Sequence, residues 1–108
     1  SSRARRITRT ADIEPLLRSG RRLKAKLIDA RLLESEAGFV RVALVVPKWG
    51  QTAVRRNKLK RRLRELSRAL LLEKKSSRDL VLRARREAYD ASFDALRDDV
   101  QRLAGSLT

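Results

Sequence analysis

Ala53-Val54-Arg55-Arg56-Asn57-Lys58-Leu59-Lys60-Arg61-Arg62-Leu63-Arg64-Glu65-Leu66-Ser67-Arg68-Ala69-Leu70 carries two patterns at once. Leu59, Leu63, Leu66 and Leu70 recur at spacings of four, three and four, so at about 100° per residue they line one narrow stripe. The spacing predicts a helix over 53–74 whose leucines face a core. With Leu59 as the zero of angle, Lys60, Arg64, Asn57, Arg68 and Arg61 fall between about 100° and 200°, a basic stripe opposite the leucines. Glu65 is the only acid between Arg55 and Arg68, which is not the alternating pattern of a salt-bridged surface helix. Like charges four apart, Arg56 with Lys60 and Lys60 with Arg64, cost roughly 0.2–0.5 kcal/mol per pair in isolation. Phosphates would neutralise these side chains and release counterions, and Asn57 adds a group that both donates and accepts hydrogen bonds.

On the N-terminal side, residues 39–46 are rich in β-branched residues, with Val40, Val42, Leu44 and Val46 on one side of a strand that Pro47 ends. Residues 48–52 then form a loop in which Gly50 is available for a positive φ. Leu23, Ala25 and Leu27 alternate with Lys24 and Lys26, so 22–33 reads as a strand with one wet face, paired to 39–46 as a hairpin across turn residues 34–38. Before it, Ile13, Leu16 and Leu17 share a helical face over 12–19, with Asp12 as N-cap, Pro15 in the first turn, and Gly20 as a left-handed stop. Residues 1–9 read as a basic arm without core residues that orders on binding, and 10–108 as one domain. C-terminal to the long helix, Leu80, Val81 and Leu82 suggest a buried strand. Asp90 or Ser92 can cap a closing helix whose face is Phe93, Leu96, Val100 and Leu103.

Composition narrows the function. Across 108 residues, 28 Lys and Arg against 13 Asp and Glu give a formal +15, which calls for an anionic partner, nucleic acid ahead of a membrane surface. No apolar run approaches the roughly 20 residues that span a bilayer, and no signal-peptide core follows Arg3, Arg5 and Arg6, so a soluble, cytoplasmic protein is expected. With no histidine and no cysteine, His-based catalysis, thiolate metal sites and disulfides are excluded. Asp90, Asp94 and Asp98 recur every four residues, but dipole complementarity and an Asp98–Arg102 pair account for them without a metal. No catalytic residue and no metal ligand is assigned. Trp49, the one tryptophan, can stack on a base or an Arg, or pack on the sheet edge.

The run 53–65 is similar to the Arg-Asn-Arg motif of bacterial ribonuclease P proteins, where an Ala-Val pair precedes Arg-Asn, and Lys-Arg and Arg-Glu follow. Fainter similarity extends along nearly the whole chain: the first helix ending at Gly20, the valine-rich strand before Lys48, the Asp79-Leu80-Val81 strand and the closing helix stand in family order. The resemblance implies an α/β (α+β) two-layer sandwich in the order αβββαβα. Its four-stranded sheet carries a left-handed βαβ crossover, like domain 2 of ribosomal protein S5. It implies a protein that assists Mg²⁺-dependent removal of the 5′ leader from precursor tRNA, the RNA subunit performing the chemistry and Mg²⁺ being held by that RNA and the substrate. Arg56, Asn57, Lys58, Lys60, Arg61 and Arg64, with Arg55 and Arg68 beside them, match positions expected to contact the RNA subunit. Lys58 replaces a frequent second Arg, keeping charge but losing the bidentate fork. The family holds the leader in a cleft between the first helix and the sheet. Here the positions of its usual aromatics carry Ile13 and Leu17, which are leader contacts or simply core, and Lys48 and Trp49 complete the expected leader set. The implied partners are the catalytic RNA and precursor tRNA, with the protein monomeric in the holoenzyme. The rival reading is a basic module of the ribosomal or histone-like kind. A protein-only Mg²⁺ enzyme lacks a carboxylate cluster to support it.

Overall fold

The computed structural model describes residues 4–107; Arg3, singled out above, lies outside the described residues. The elements are α1 (Thr10–Ser19), β1 (Arg21–Leu23), β2 (Ile28–Glu34), β3 (Arg41–Val45), α2 (Ala53–Leu70), β4 (Arg78–Ala84), a 3₁₀ turn (Arg86–Asp90) and α3 (Phe93–Gly105). This is the αβββαβα order expected.

The four strands form one mixed sheet in the order β1-β2-β4-β3. β4 runs antiparallel to β2 and parallel to β3, with α2 as the crossover between the parallel neighbours. The hairpin expected between 22–33 and 39–46 does not form, because β4 lies between β2 and β3. Residues 80–82 explain the insertion. Leu80 and Leu82 face one side and Val81 the other, all fully buried, and a strand apolar on both faces belongs in the centre of a sheet. The first strand is instead two strands, β1 pairing antiparallel with β2 from Arg21↔Leu32 to Leu23↔Ala30. Residues 24–27 form the reversal, held by Asp99 of α3, whose carboxylate accepts from Lys26 N at 2.9 Å and Leu27 N at 2.7 Å.

One face of the sheet is sealed by α2 and α3. Leu59, Leu63 and Leu66 are buried there against Val42, Leu80 and Leu82, with Leu96, Val100 and Leu103 from α3. Full burial of a leucine contributes roughly 1.5–3 kcal/mol, so the stripe alone accounts for the docking of α2. Ser92 caps α3, its Oγ accepting from Ala95 N at 3.1 Å. The other face is covered only in part, by α1, through Leu16 on Ala43 and Val81, with Ile13 and Leu17 half-buried beside them.

Four local expectations are corrected. Ile7 is buried, and Arg5 and Ile7 hydrogen-bond β3 (Ile7 N to Val42 O, 2.9 Å; Val42 N to Arg5 O, 2.8 Å), so residues 5–7 cover the β3 edge rather than forming a coreless arm. α1 begins two residues earlier than its expected cap, with Arg9 in the N-cap position, which moves Pro15 into the second turn. Gly20 has φ −65° and is not left-handed; glycine is required because a Cβ would lie 2.4 Å from Leu16 O and 2.9 Å from Arg31 Cβ. α2 stops at Leu70, short of 74.

Candidate nucleic-acid interface

The start of α2 is fixed from both sides. Trp49 (φ 50°) and Gly50 (φ 78°) are consecutive left-handed residues, and Gln51 N donates to Lys48 O at 2.8 Å, the geometry of a type I′ turn. Thr52 then caps the helix, its Oγ1 accepting from Arg55 N at 3.2 Å. Arg55 donates to Tyr89 O at 3.1 Å, to Asp90 Oδ1 at 2.9 Å and to Gln51 Oε1, and its guanidinium lies 5.8 Å from the Tyr89 ring. Tyr89 in turn donates to Pro47 O at 2.7 Å. Arg55, expected among the RNA contacts, is thereby engaged in clamping the 3₁₀ turn to the helix start.

The remaining α2 residues sort into two surfaces. Arg56, Lys60, Arg64 and Arg68 form a row at spacings of four that leans toward β3 and the N-terminal segment. Arg56 Nε donates to Val46 O at 2.7 Å. Burial pulls the Lys60 ammonium below the ordinary lysine value, and the charges of Arg56 and Arg64 push the same way. Arg64 Nε is buried without a hydrogen-bond partner, and Arg64 and Arg68 share a shallow apolar depression with Arg5 and Arg6. Among the described residues no carboxylate pairs with any of this row. Asn57, Lys58 and Arg61 are exposed on the outer side.

The residues expected at the leader divide. Ile13 and Leu17 pack against the core of the α1 face, so the structure gives them a packing role. Lys48 and Trp49 are exposed at the other end of that face. There the Trp49 ring lies 5.0 Å from the Arg86 guanidinium and 5.9 Å from that of Arg83. Trp49, Arg83 and Arg86 line a groove of about 390 Å³ together with Arg22, Asp29 and Arg85. Sequence reasoning passed over Arg83 and Arg86, although the break in the apolar run after Leu82 signals that one face of β4 turns polar. It also passed over Arg5 and Arg6 as part of the α2 surface, and over Asp99, which pairs with Arg102 at 3.3 Å in place of the expected Asp98.

Among the described residues no three His, Cys, Asp or Glu side chains group as a metal site, and no helix is long and apolar enough to cross a membrane. A leucine-anchored helix bearing an unneutralised cationic row, beside a groove with an arginine-flanked indole, defines a small α+β protein built to bind RNA. The comparisons give that class a family. A family model described as Ribonuclease P matches residues 2–108. The chain is 38% identical to the ribonuclease P protein component of Kocuria rhizophila over 87% of this chain and 83% of that protein. It is 36% identical to that of Mycobacterium avium over 90% and 86%. Its fold matches the RNase P protein of Thermotoga maritima with a TM-score of 0.82 at 22% identity, over 95% of this chain and 97% of the other. A Staphylococcus aureus RNase P protein mutant matches with 0.83 at 23%, over 97% and 89%. The chain belongs to the ribonuclease P protein family. It is the protein component of an endoribonuclease that matures the 5′ end of tRNA and works with an RNA subunit.

Proposed function

We propose that the two surfaces divide the RNA between them: the α2 row and its exposed flank bind the RNA subunit, and the open end of the α1 face receives the 5′ leader of precursor tRNA. The observation that carries the first half is the row Arg56, Lys60, Arg64 and Arg68, in which burial first, and then the charges of Arg56 and Arg64, lower the Lys60 pKa, and which has no carboxylate partner among the described residues. Such a row is under internal repulsion until phosphates approach, so RNA is attracted and the protein gains by releasing that repulsion. The second half rests on Trp49, Arg83 and Arg86 converging on one groove, with Lys48 exposed beside Trp49 in the chain.

Among the described residues no three His, Cys, Asp or Glu side chains group as a metal site, and Mg²⁺ is assigned to the RNA subunit and substrate because the family resemblance implies it. The protein's contribution is to position the leader and to screen phosphate repulsion near the cleavage point. In reconstitution with a bacterial ribonuclease P RNA, the chain alone should leave precursor tRNA intact and should raise cleavage by the RNA at low Mg²⁺. Replacing Arg56, Lys60 and Arg64 by Ala should flatten the dependence of log K on log salt for RNA-subunit binding by up to about two to three, at roughly 0.7–0.9 per phosphate contact. Robust turnover without RNA refutes the assignment of the chemistry to the RNA subunit, and an unchanged salt slope in the triple variant refutes the role of the α2 row.

A further inference from the structure

The segment that joins β3 to α2 carries Lys48 and Trp49 on a turn with a conformational cost. Trp49 occupies the left-handed region, where a bulky residue is uncommon. A residue so placed persists where the surrounding structure over-determines it. Here the restraints come from outside the segment. At its start Arg56 Nε donates to Val46 O at 2.7 Å, and the Tyr89 hydroxyl donates to Pro47 O at 2.7 Å. At its end Arg55 donates to Gln51 Oε1, and the same guanidinium reaches Tyr89 O at 3.1 Å and Asp90 Oδ1 at 2.9 Å. Tyr89 therefore stands on both sides of the arrangement: its backbone is held by α2, and its side chain holds the turn.

The residue type bears on what that contact is for. Tyr89 is 8% exposed and belongs to the core with Leu59 and Ala88, a packing role that phenylalanine would fill without needing a partner. A buried hydroxyl costs free energy unless it is hydrogen-bonded, and Pro47 O, beyond the end of β3 at Val45, accepts it. The same 3₁₀ turn also carries Arg86, 5.0 Å from the Trp49 ring, so it meets the 48–51 turn at the ring and at the base.

We propose that Tyr89 is a positioning residue for precursor tRNA: its hydroxyl fixes the 48–51 turn relative to α2, so that Lys48 and Trp49 are presented at a set place once α2 is seated on the RNA subunit. The proposal rests on the leader-side reading above. Tyr89 contacts no RNA in this scheme and acts through the turn. Losing its hydroxyl removes one anchor of the turn, while Arg55 and the Thr52 cap still hold the start of α2. The cost falls on precursor binding and spares the RNA subunit.

Tyr89→Phe keeps the ring and deletes the hydrogen bond. In holoenzyme reconstituted with a bacterial ribonuclease P RNA, it should weaken precursor-tRNA binding by roughly 2- to 10-fold, the range that one hydrogen bond commands. Affinity for mature tRNA, which has no leader, and for the RNA subunit should stay at the wild-type values. Trp49 is the only tryptophan, so its fluorescence anisotropy in the free full chain should fall in Tyr89→Phe while circular dichroism matches the wild type. A merely structural role gives no such split; if precursor, mature tRNA and RNA-subunit affinities all fall together, or none changes, the proposal is overturned. Action through the turn also requires non-additivity. Added to a Lys48→Ala, Trp49→Gly background, Tyr89→Phe should weaken precursor binding no further, and an undiminished loss there overturns the proposal. If the Lys48→Ala, Trp49→Gly protein itself binds precursor as the wild type does, the leader-side reading falls and takes the proposal with it. If that protein binds precursor weakly and Tyr89→Phe does not, the reading stands and the proposal alone is refuted.

Discussion

The two faces of the sheet belong to the same four strands and are finished in opposite ways. On one, α2 with 18 residues and α3 with 13 cover the strands from end to end, and Ile28, Ala30, Leu80 and Leu82 are sealed. On the other, α1 has only 10 residues, about 15 Å of helix, and covers the middle of the sheet through Leu16. Past its end the strands display Asp29, Arg31 and Arg83. The sealed face supplies stability; the half-covered face gives up burial and gains a groove for ligand. The bidentate pair of Arg41 with Asp79, at 2.7 and 2.8 Å across the parallel strands, lies on the half-covered face and raises the Arg41 pKa through that hydrogen bond. Polar pairs on this face stand where the sealed face has leucines.

The largest difference should appear when a leucine of each face is truncated. Leu63→Ala, at a fully buried position under α2, should cost about 2–5 kcal/mol. Leu17→Ala, half-buried under α1, should cost about 1 kcal/mol. Urea denaturation of both variants measures the contrast. Equal losses would show that the α1 face is as much core as the other and would remove the basis for the division.

A second, smaller effect tests how the sealed face holds the β1–β2 reversal. Asp99→Ala leaves the amides of Lys26 and Leu27 without their acceptor, and should cost roughly 1–3 kcal/mol together with hydrogen-exchange protection at those two amides. Asp99→Asn, which keeps one carbonyl oxygen, should fall between. If Asp99→Ala leaves both the urea midpoint and the exchange rates unchanged, the reversal is held by other means.

How much of this could be read from the residues depends on whether the signal was local. The leucine stripe of α2, the Ser92-capped face of α3 and the double-faced apolar run of β4 are periodicities within one element, and each predicted its own burial. The strand partners were not legible, because alternation in 22–27 looks the same in a strand and in a turn whose amides are taken by a carboxylate more than 70 residues away. Arg83 and Arg86 belong to the groove only because β4 is central and the 3₁₀ turn folds back beside the Trp49 turn. Arg55 shows a second kind of hidden role: a position that reads as a ligand contact also holds Tyr89 and Asp90, partners more than 30 residues away that leave no local signal.

The smallest effect concerns charge in the α2 row, and it sharpens the comparison by asking whether that row is under repulsion before RNA arrives. Lys60 is lowered from 10.5 by burial first, then by Arg56 and Arg64. The folded state therefore disfavours the ammonium. On its own account, Lys60 makes the free protein more stable as pH rises from its lowered pKa toward the ordinary lysine value of the unfolded chain. That gain is lost as pH falls back through the lowered pKa. Phosphates reverse the preference, because they favour the ammonium, so RNA-subunit binding should take up a proton and weaken as pH rises through the same window. Lys60→Arg stays charged throughout and should bind with a flatter pH profile, while matching the wild type near neutrality. Affinity measured across the alkaline range, with brief exposures to protect the RNA, decides the matter. Parallel profiles for the wild type and Lys60→Arg would mean that Lys60 does not titrate in this window and that its lowered pKa plays no part in RNA-subunit binding.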